Sequence, residues 1–215
     1  MLKKLSHSNF MIPSMVVLAI LATSAGFYIS LKQSQTKLEQ NNIAEGLFWP
    51  NPKQLLEFNT TDNNGELFGL KQIEEKWSFI FFGYTNCPDI CPITMSVMAD
   101  TYKRIKNEYK NVQIIFVTVD PERDDTEKLN SYVSFFDSQF IGLNGSPQIE
   151  NSLTKQIGVA FYHDDKKGNY LVDHSASIFV IDPKMRLVSK LSPPHNSEEI
   201  IKKFKKIKRF IDEKS

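Results

Sequence analysis

The sequence predicts an α/β domain built on a central mixed sheet, preceded by one N-terminal transmembrane helix, and three observations carry that expectation. An uncharged, largely apolar stretch runs from Ser8 to Leu31. Beyond it, β-branched and aromatic runs such as Trp77 to Tyr84 and Val112 to Val119 alternate with segments whose apolar residues recur at helical spacing, the pattern of strands joined by crossover helices. The only two cysteines, Cys87 and Cys91, sit together as Cys87-Pro88-Asp89-Ile90-Cys91-Pro92, just after the first of those runs. The formal net charge of the 215 residues is +1, which speaks against a nucleic-acid binder with a strongly basic surface.

Residues 1–31 read as a cytoplasmic amino terminus and a membrane anchor. The apolar stretch is long enough for a hydrocarbon core of about 30 Å, and Lys3 and Lys4 ahead of it hold the amino terminus in the cytoplasm. Thr23-Ser24-Ala25-Gly26 offers the small residues of a signal-peptidase site. The apolar run continues to Leu31, longer than a usual signal core, which favours an uncleaved anchor. No lipobox cysteine and no Arg-rich transit segment is present, so the expected location is a bacterial inner membrane with the following domain in the periplasm. Residues 32–46 are polar and read as a linker, and 47–215 as the domain.

Within the domain, Leu56 to Thr60 and Glu66 to Leu70 form a hairpin around Asp62-Asn63-Asn64-Gly65, a sequence suited to a tight turn. The buried strand Trp77 to Tyr84 follows. Ile93, Met95, Met98, Tyr102 and Ile105 predict a helix to about Tyr109. Val112 to Val119 is a strand ending in Asp120-Pro121-Glu122-Arg123-Asp124, read as a turn and helix cap. Helices are expected over Thr126 to Phe136 and Pro147 to Gly158, and a second hairpin pairs Ala160 to Tyr162 with Tyr170 to Val172. Ser177 to Ile181 and Arg186 to Leu191 form an antiparallel pair, closed by a helix from Ser197 to Ile211. This element order is thioredoxin-like.

Two thiols four residues apart at a strand-to-helix junction share one face of a helical turn. Four residues rise about 6 Å, inside the roughly 4.4–6.8 Å that a disulfide spans, so the pair can cross-link. The same spacing lets both sulfurs bind one metal ion. Unpaired amides at a helix start favour thiolate, which both chemistries need. A purely structural disulfide would close too short a loop to stabilise much. Outside the cytoplasm thiols tend to be oxidised, so a working dithiol there needs a reductant.

Two thiolates rarely complete a metal site, so a further donor is expected. Of the four histidines, His7 falls on the cytoplasmic side and His163 at a hairpin turn. His174 precedes the strand Ser177 to Ile181, whose start lies at the sheet edge where the cysteine motif begins. His195, after Pro193-Pro194, returns to the same edge and is a reserve candidate, with a surface histidine as its plainer reading. Met95 and Met98 could be thioether ligands but sit in a core stripe. Ser175-Ala176-Ser177 lacks the cis-proline that precedes this strand in general thiol-exchange proteins. Two thiolates and an imidazole suit Cu(I), or Cu(II) with a further oxygen; zinc accepts the same set.

Cys87-Pro88-Asp89-Ile90-Cys91-Pro92, Thr118-Val119-Asp120-Pro121-Glu122-Arg123-Asp124, Phe140-Ile141-Gly142-Leu143-Asn144-Gly145-Ser146 and Val172-Asp173-His174-Ser175 stand in one order along the chain. In this the chain resembles the Sco/SenC family of membrane-anchored copper metallochaperones for cytochrome c oxidase assembly. The resemblance implies copper held by Cys87, Cys91 and His174. It also gives Asp89 and Asp173 supporting roles around the site or in partner recognition, against a plainer reading as helix cap and exposed side chain. The implied partners are the copper-binding subunit of the oxidase, a copper donor protein, a thiol reductant, and membrane lipid around the amino-terminal helix. Three functions are weighed: copper delivery, which is not enzymatic; a thiol:disulfide reductase for the oxidase cysteines, which needs the pair but not His174; and a peroxide-reducing or redox-signalling protein, which no motif supports. The carboxyl-terminal helix is basic and amphipathic, and its apolar stripe is expected to pack on the sheet rather than on lipid.

Overall fold

The computed structural model describes residues 8–44, 48–49, 51–145, 151–159, 161–163, 172–174 and 176–213; side chains are described for 17–35, 37, 48–49, 51–145, 151–159 and 176–213. The chain forms two compact units, residues 1–45 and 46–215.

The first unit is one helix, α1 (Ser8–Ala44). Val17, Leu18, Ile20, Leu21, Phe27, Tyr28, Ile29 and Leu31 are all exposed, and at about 100° per residue they cover roughly half of the helix circumference, wider than a narrow stripe. Thr23 and Ser24 turn their hydroxyls onto the carbonyls of Ala19, Ile20 and Leu21, which satisfies them within the helix. The helix continues through the expected linker to Ala44, because Lys, Gln, Leu and Glu are good helix formers whatever their polarity. Among the described residues no helix is long and apolar enough to cross a membrane. The expected span begins further upstream, and its side chains as far as Val16 lie outside the described ones.

In the second unit a six-stranded mixed sheet has the order β1 (Lys53–Gln54), β10 (Arg186–Leu191), β9 (Ile178–Ile181), β4 (Trp77–Gly83), β5 (Val112–Thr118), β6 (Ile141–Asn144). β4, β5 and β6 are parallel neighbours, with Phe81 opposite Phe116 and Phe116 opposite Gly142. β9 runs antiparallel to β4. Every residue of β4 and β5 is buried, as expected of apolar strands covered on both faces. The face carrying Trp77, Phe79, Phe81 and Phe116 receives α3 (Ile90–Ile105), α4 (Thr126–Phe136) and α6 (Ser197–Glu213). There Phe204 of α6 packs on Trp77, Phe79 and Tyr109 at centroid distances of 5.4, 5.2 and 5.2 Å, so the stripe of the basic helix is in the core, as expected. On the opposite face Phe82 meets Phe179 edge-on at 5.7 Å.

The first hairpin forms between β2 (Asn59–Thr61) and β3 (Leu67–Gly69). Asp62 closes its turn by accepting from the amides of Asn64 and Glu66 at 2.8 and 2.9 Å, and Gly65 takes the positive φ of +81° that the turn requires. Asn63 then accepts from the Gly142 amide at 2.8 Å, which fastens the hairpin to β6. That edge strand carries no sequence signal of its own, since Ile-Gly-Leu-Asn is short and broken by glycine. In the second hairpin β7 (Phe161–His163) pairs with β8 (Val172–His174), Phe161 opposite His174; its turn, 164–171, lies outside the described residues. The helix expected from Pro147 is described only as α5 (Leu153–Ile157), with 146–150 outside the described residues. A short α2 (Leu70–Ile73) completes the unit.

Phe204→Ala removes the ring that three aromatic neighbours share. An unfolding free energy lower by about 3–5 kcal/mol is expected in denaturant titration; an unchanged midpoint would contradict this packing.

Candidate metal centre

The cysteine motif occupies the turn from the carboxyl end of β4 into α3. Cys87 is half-buried in the loop, while Cys91 is the second residue of the helix and 0% exposed. The two therefore do not share a helical turn, because Pro88 and Asp89, whose backbone is non-helical with φ −140° and ψ −79°, delay the helix to Ile90. Both are thiols, not joined by a disulfide. Cys91 is drawn against the sheet by a missing side chain: a Cβ on Gly83 would lie 2.9 Å from Cys91 Sγ and 2.9 Å from the Phe116 ring edge. Asp89 is the N-cap residue of α3 and exposed, and its carboxylate makes no capping hydrogen bond.

The loop is fixed from below by Asp124, whose motif the sequence marks only as a turn and cap. Asp125, not Asp124, caps α4, accepting from Lys128 N at 2.8 Å. Asp124 is instead 0% exposed. Its Oδ2 accepts from Thr85 N at 3.0 Å and Thr118 Oγ1 at 2.5 Å, and its Oδ1 from Thr85 Oγ1 at 2.5 Å. Thr118 Oγ1 in turn accepts from Asp120 N at 3.0 Å. Asp120 pairs with Arg123, whose guanidinium lies 5.7 Å from the centre of the Tyr84 ring. The end of β5 and the loop two residues before Cys87 are thus tied to one buried carboxylate.

Electrostatics at Cys91 run against the helix-start expectation. Its thiol is pushed well above the ordinary range, first by the hydrogen bond it shares with Cys87, then by burial. The charges of Cys87 and Asp124 add to the rise, and a backbone hydrogen bond from Tyr84 opposes it. In the metal-free pair Cys91 keeps its proton, because desolvation and a neighbouring sulfur outweigh the helix dipole.

β9 begins with Ile178 opposite Phe81 and ends with Ile181 opposite Ser78, so its start lies toward the end of β4 from which the cysteine loop leaves. His174 ends β8, four residues earlier in the chain. The side chains of His174, Asp173 and His163 lie outside the described ones, and His7 outside the described residues. Among the described residues no three His, Cys, Asp or Glu side chains form a metal-sized group. Met95 and Met98 are fully buried in the core. His195 is half-buried, not a surface residue, and its Nε2–H donates to the Ala176 carbonyl at 2.6 Å. Burial lowers its pKa, against the raising effect of that hydrogen bond. It therefore braces, as a neutral ring, the segment between His174 and β9.

A dithiol at the start of the helix that follows a central strand of a mixed sheet defines a protein of the thioredoxin-like class. The SCO1/SenC family model matches residues 51–209, and the chain belongs to that family. It is 32% identical over 173 residues to an SCO2-like protein of Rickettsia conorii, spanning 78% of this chain and 82% of the relative. The crystal structure of Arabidopsis thaliana ScoI with copper bound is 31% identical with a TM-score of 0.66, covering 72% of this chain and 97% of that one. Bradyrhizobium japonicum ScoI with copper bound is 32% identical with a TM-score of 0.63, covering 73% and 98%.

Alkylation checks the inequality of the two thiols. At pH 8 iodoacetamide should label half-buried Cys87 well before fully buried Cys91, read by peptide mass spectrometry; equal rates would contradict the geometry.

Proposed function

We propose that this chain is a membrane-anchored copper chaperone in the assembly of cytochrome c oxidase, taking the ion on Cys87, Cys91 and His174 and passing it to the copper-binding subunit of the oxidase. The observation that carries the reading is the hydrogen-bonded Cys87/Cys91 thiol pair, with Cys91 buried and Cys87 half-buried, at the end of the sheet where β9 begins, four residues after His174. Soft thiolates with one imidazole suit Cu(I), and Cu(II) with an added oxygen, and the two structures compared above are of ScoI with copper bound. The exposed apolar side chains of α1 support a lipid anchor, and Lys3 and Lys4 ahead of it in the sequence support a domain on the periplasmic side of a bacterial inner membrane.

The mechanism is ligand exchange. Copper displaces the Cys91 proton on binding, and thiols of the recipient then replace the cysteines one at a time. Oxidation of the pair takes two electrons and two protons to an acceptor and leaves a Cys87–Cys91 disulfide without thiolate ligands, so redox state switches binding off and a thiol reductant restores it. Asp89 and Asp173 are assigned to partner recognition or support around the ion.

Copper content of the reduced full-length chain is the test. One ion per chain is expected, falling by at least tenfold in affinity for Cys87→Ser and for His174→Ala. Stoichiometric zinc in place of copper would overturn the cofactor. Unchanged oxidase assembly with His174→Ala, despite lost copper binding, would replace delivery by thiol:disulfide reduction of the oxidase cysteines.

A further inference from the structure

Between His174 and β9 the chain is Ser175-Ala176-Ser177, small residues that do not restrict their own backbone as a proline would. Ala176 is held instead from outside the segment, by His195, whose Nε2–H donates to the Ala176 carbonyl at 2.6 Å. A ring nitrogen that donates to a carbonyl carries its proton and has no lone pair for a metal. His195 is itself fixed from two sides. Its neighbour Asn196 accepts from the amides of Glu198 and Glu199 at 2.9 and 3.3 Å, which caps α6, and the Ile200 amide donates to the Asn196 carbonyl at 2.9 Å. Ile200 and Phe204 then seat that helix in the core. On the other side His195 shares a cleft with Ser96, Val97 and Asp100 of α3, the helix whose second residue is Cys91.

We propose that His195 is a positioning residue for copper: by holding the Ala176 carbonyl it sets the place of His174, so that the His174 imidazole completes the site begun by Cys87 and Cys91. The proposal rests on the copper reading above. Ala176 follows His174 by two residues, at most about 7 Å of extended chain, so a displaced carbonyl displaces the ligand. Metal–ligand distances tolerate only about ±0.2 Å, which a segment of small residues does not secure unaided. His195 also joins the two halves of the site. It stands beside α3, which starts at the cysteines, and binds the segment that continues from His174, so helix and strand are tied to one another. Groups that orient a metal ligand without touching the ion commonly account for about ten- to hundredfold in affinity.

His195→Leu in the reduced, full-length, detergent-solubilised chain fills the space of the ring and deletes its donor, whereas His195→Gln keeps an N–H at similar reach. Cu(I) affinity, by competition with bicinchoninate, should fall about tenfold in His195→Leu and recover in His195→Gln. In a His174→Ala background His195→Leu should cause no further fall, since the residue acts through His174. In the metal-free chain, amide exchange from Ala176 to Ile178 should quicken in His195→Leu and not in His195→Gln. An equal fall with and without His174 would mark a merely structural role and overturn the proposal. So would an equal fall in both His195 variants, the sign of a ring that binds the ion itself, or affinity or exchange in His195→Leu that matches wild type. A wild-type chain that binds no copper sinks the copper reading and this proposal together. A wild type that binds copper, loses affinity in His174→Ala and keeps it in His195→Leu sinks this proposal alone.

Discussion

The site hangs on the buried carboxylate of Asp124. An ionised carboxylate taken out of water is tolerated only where donors surround it, and here two threonine hydroxyls and one backbone amide do so. One threonine ends β5 and the other stands two residues before Cys87, so the ends of neighbouring parallel strands are locked together at the point where the cysteine loop departs. The sheet fixes the threonines, the threonines fix the carboxylate, and the loop inherits its place from a rigid scaffold. Gly83 completes the arrangement by letting Cys91 Sγ approach the β4 backbone.

Two opposing effects set the chemistry of the pair. The start of α3 favours thiolate, whereas burial and the neighbouring sulfur favour the thiol at Cys91, and the latter win. A metal-free site that keeps its proton hides its sulfur from oxidants, because the thiolate is the reactive form. It gives the proton up only to something that binds sulfur strongly, which suits a soft ion. Half-buried Cys87 is the more accessible member of the pair.

Long periodic elements were legible in the sequence. α4 spans Thr126–Phe136 as its spacing predicts, and β4 and β5 fall within one residue of their apolar runs. The family was legible from four ordered segments, because the cysteine spacing and its companions recur as a set. The helical turn expected of both cysteines failed because local proline and backbone geometry override spacing. The buried role of Asp124 has no local signal within the segment read as a turn and cap, because it depends on Thr85, 39 residues away. His195, a reserve ligand candidate in the sequence with a surface histidine as its plainer reading, is half-buried because its acceptor, the Ala176 carbonyl, comes from a segment 19 residues away.

X-ray absorption at the copper edge of the reduced, copper-loaded full-length chain tests the central claim most directly. Two sulfur scatterers and one imidazole nitrogen are predicted, with the nitrogen lost in His174→Ala and one sulfur lost in Cys87→Ser. A first shell of nitrogen and oxygen alone, or one unchanged by either substitution, would contradict it.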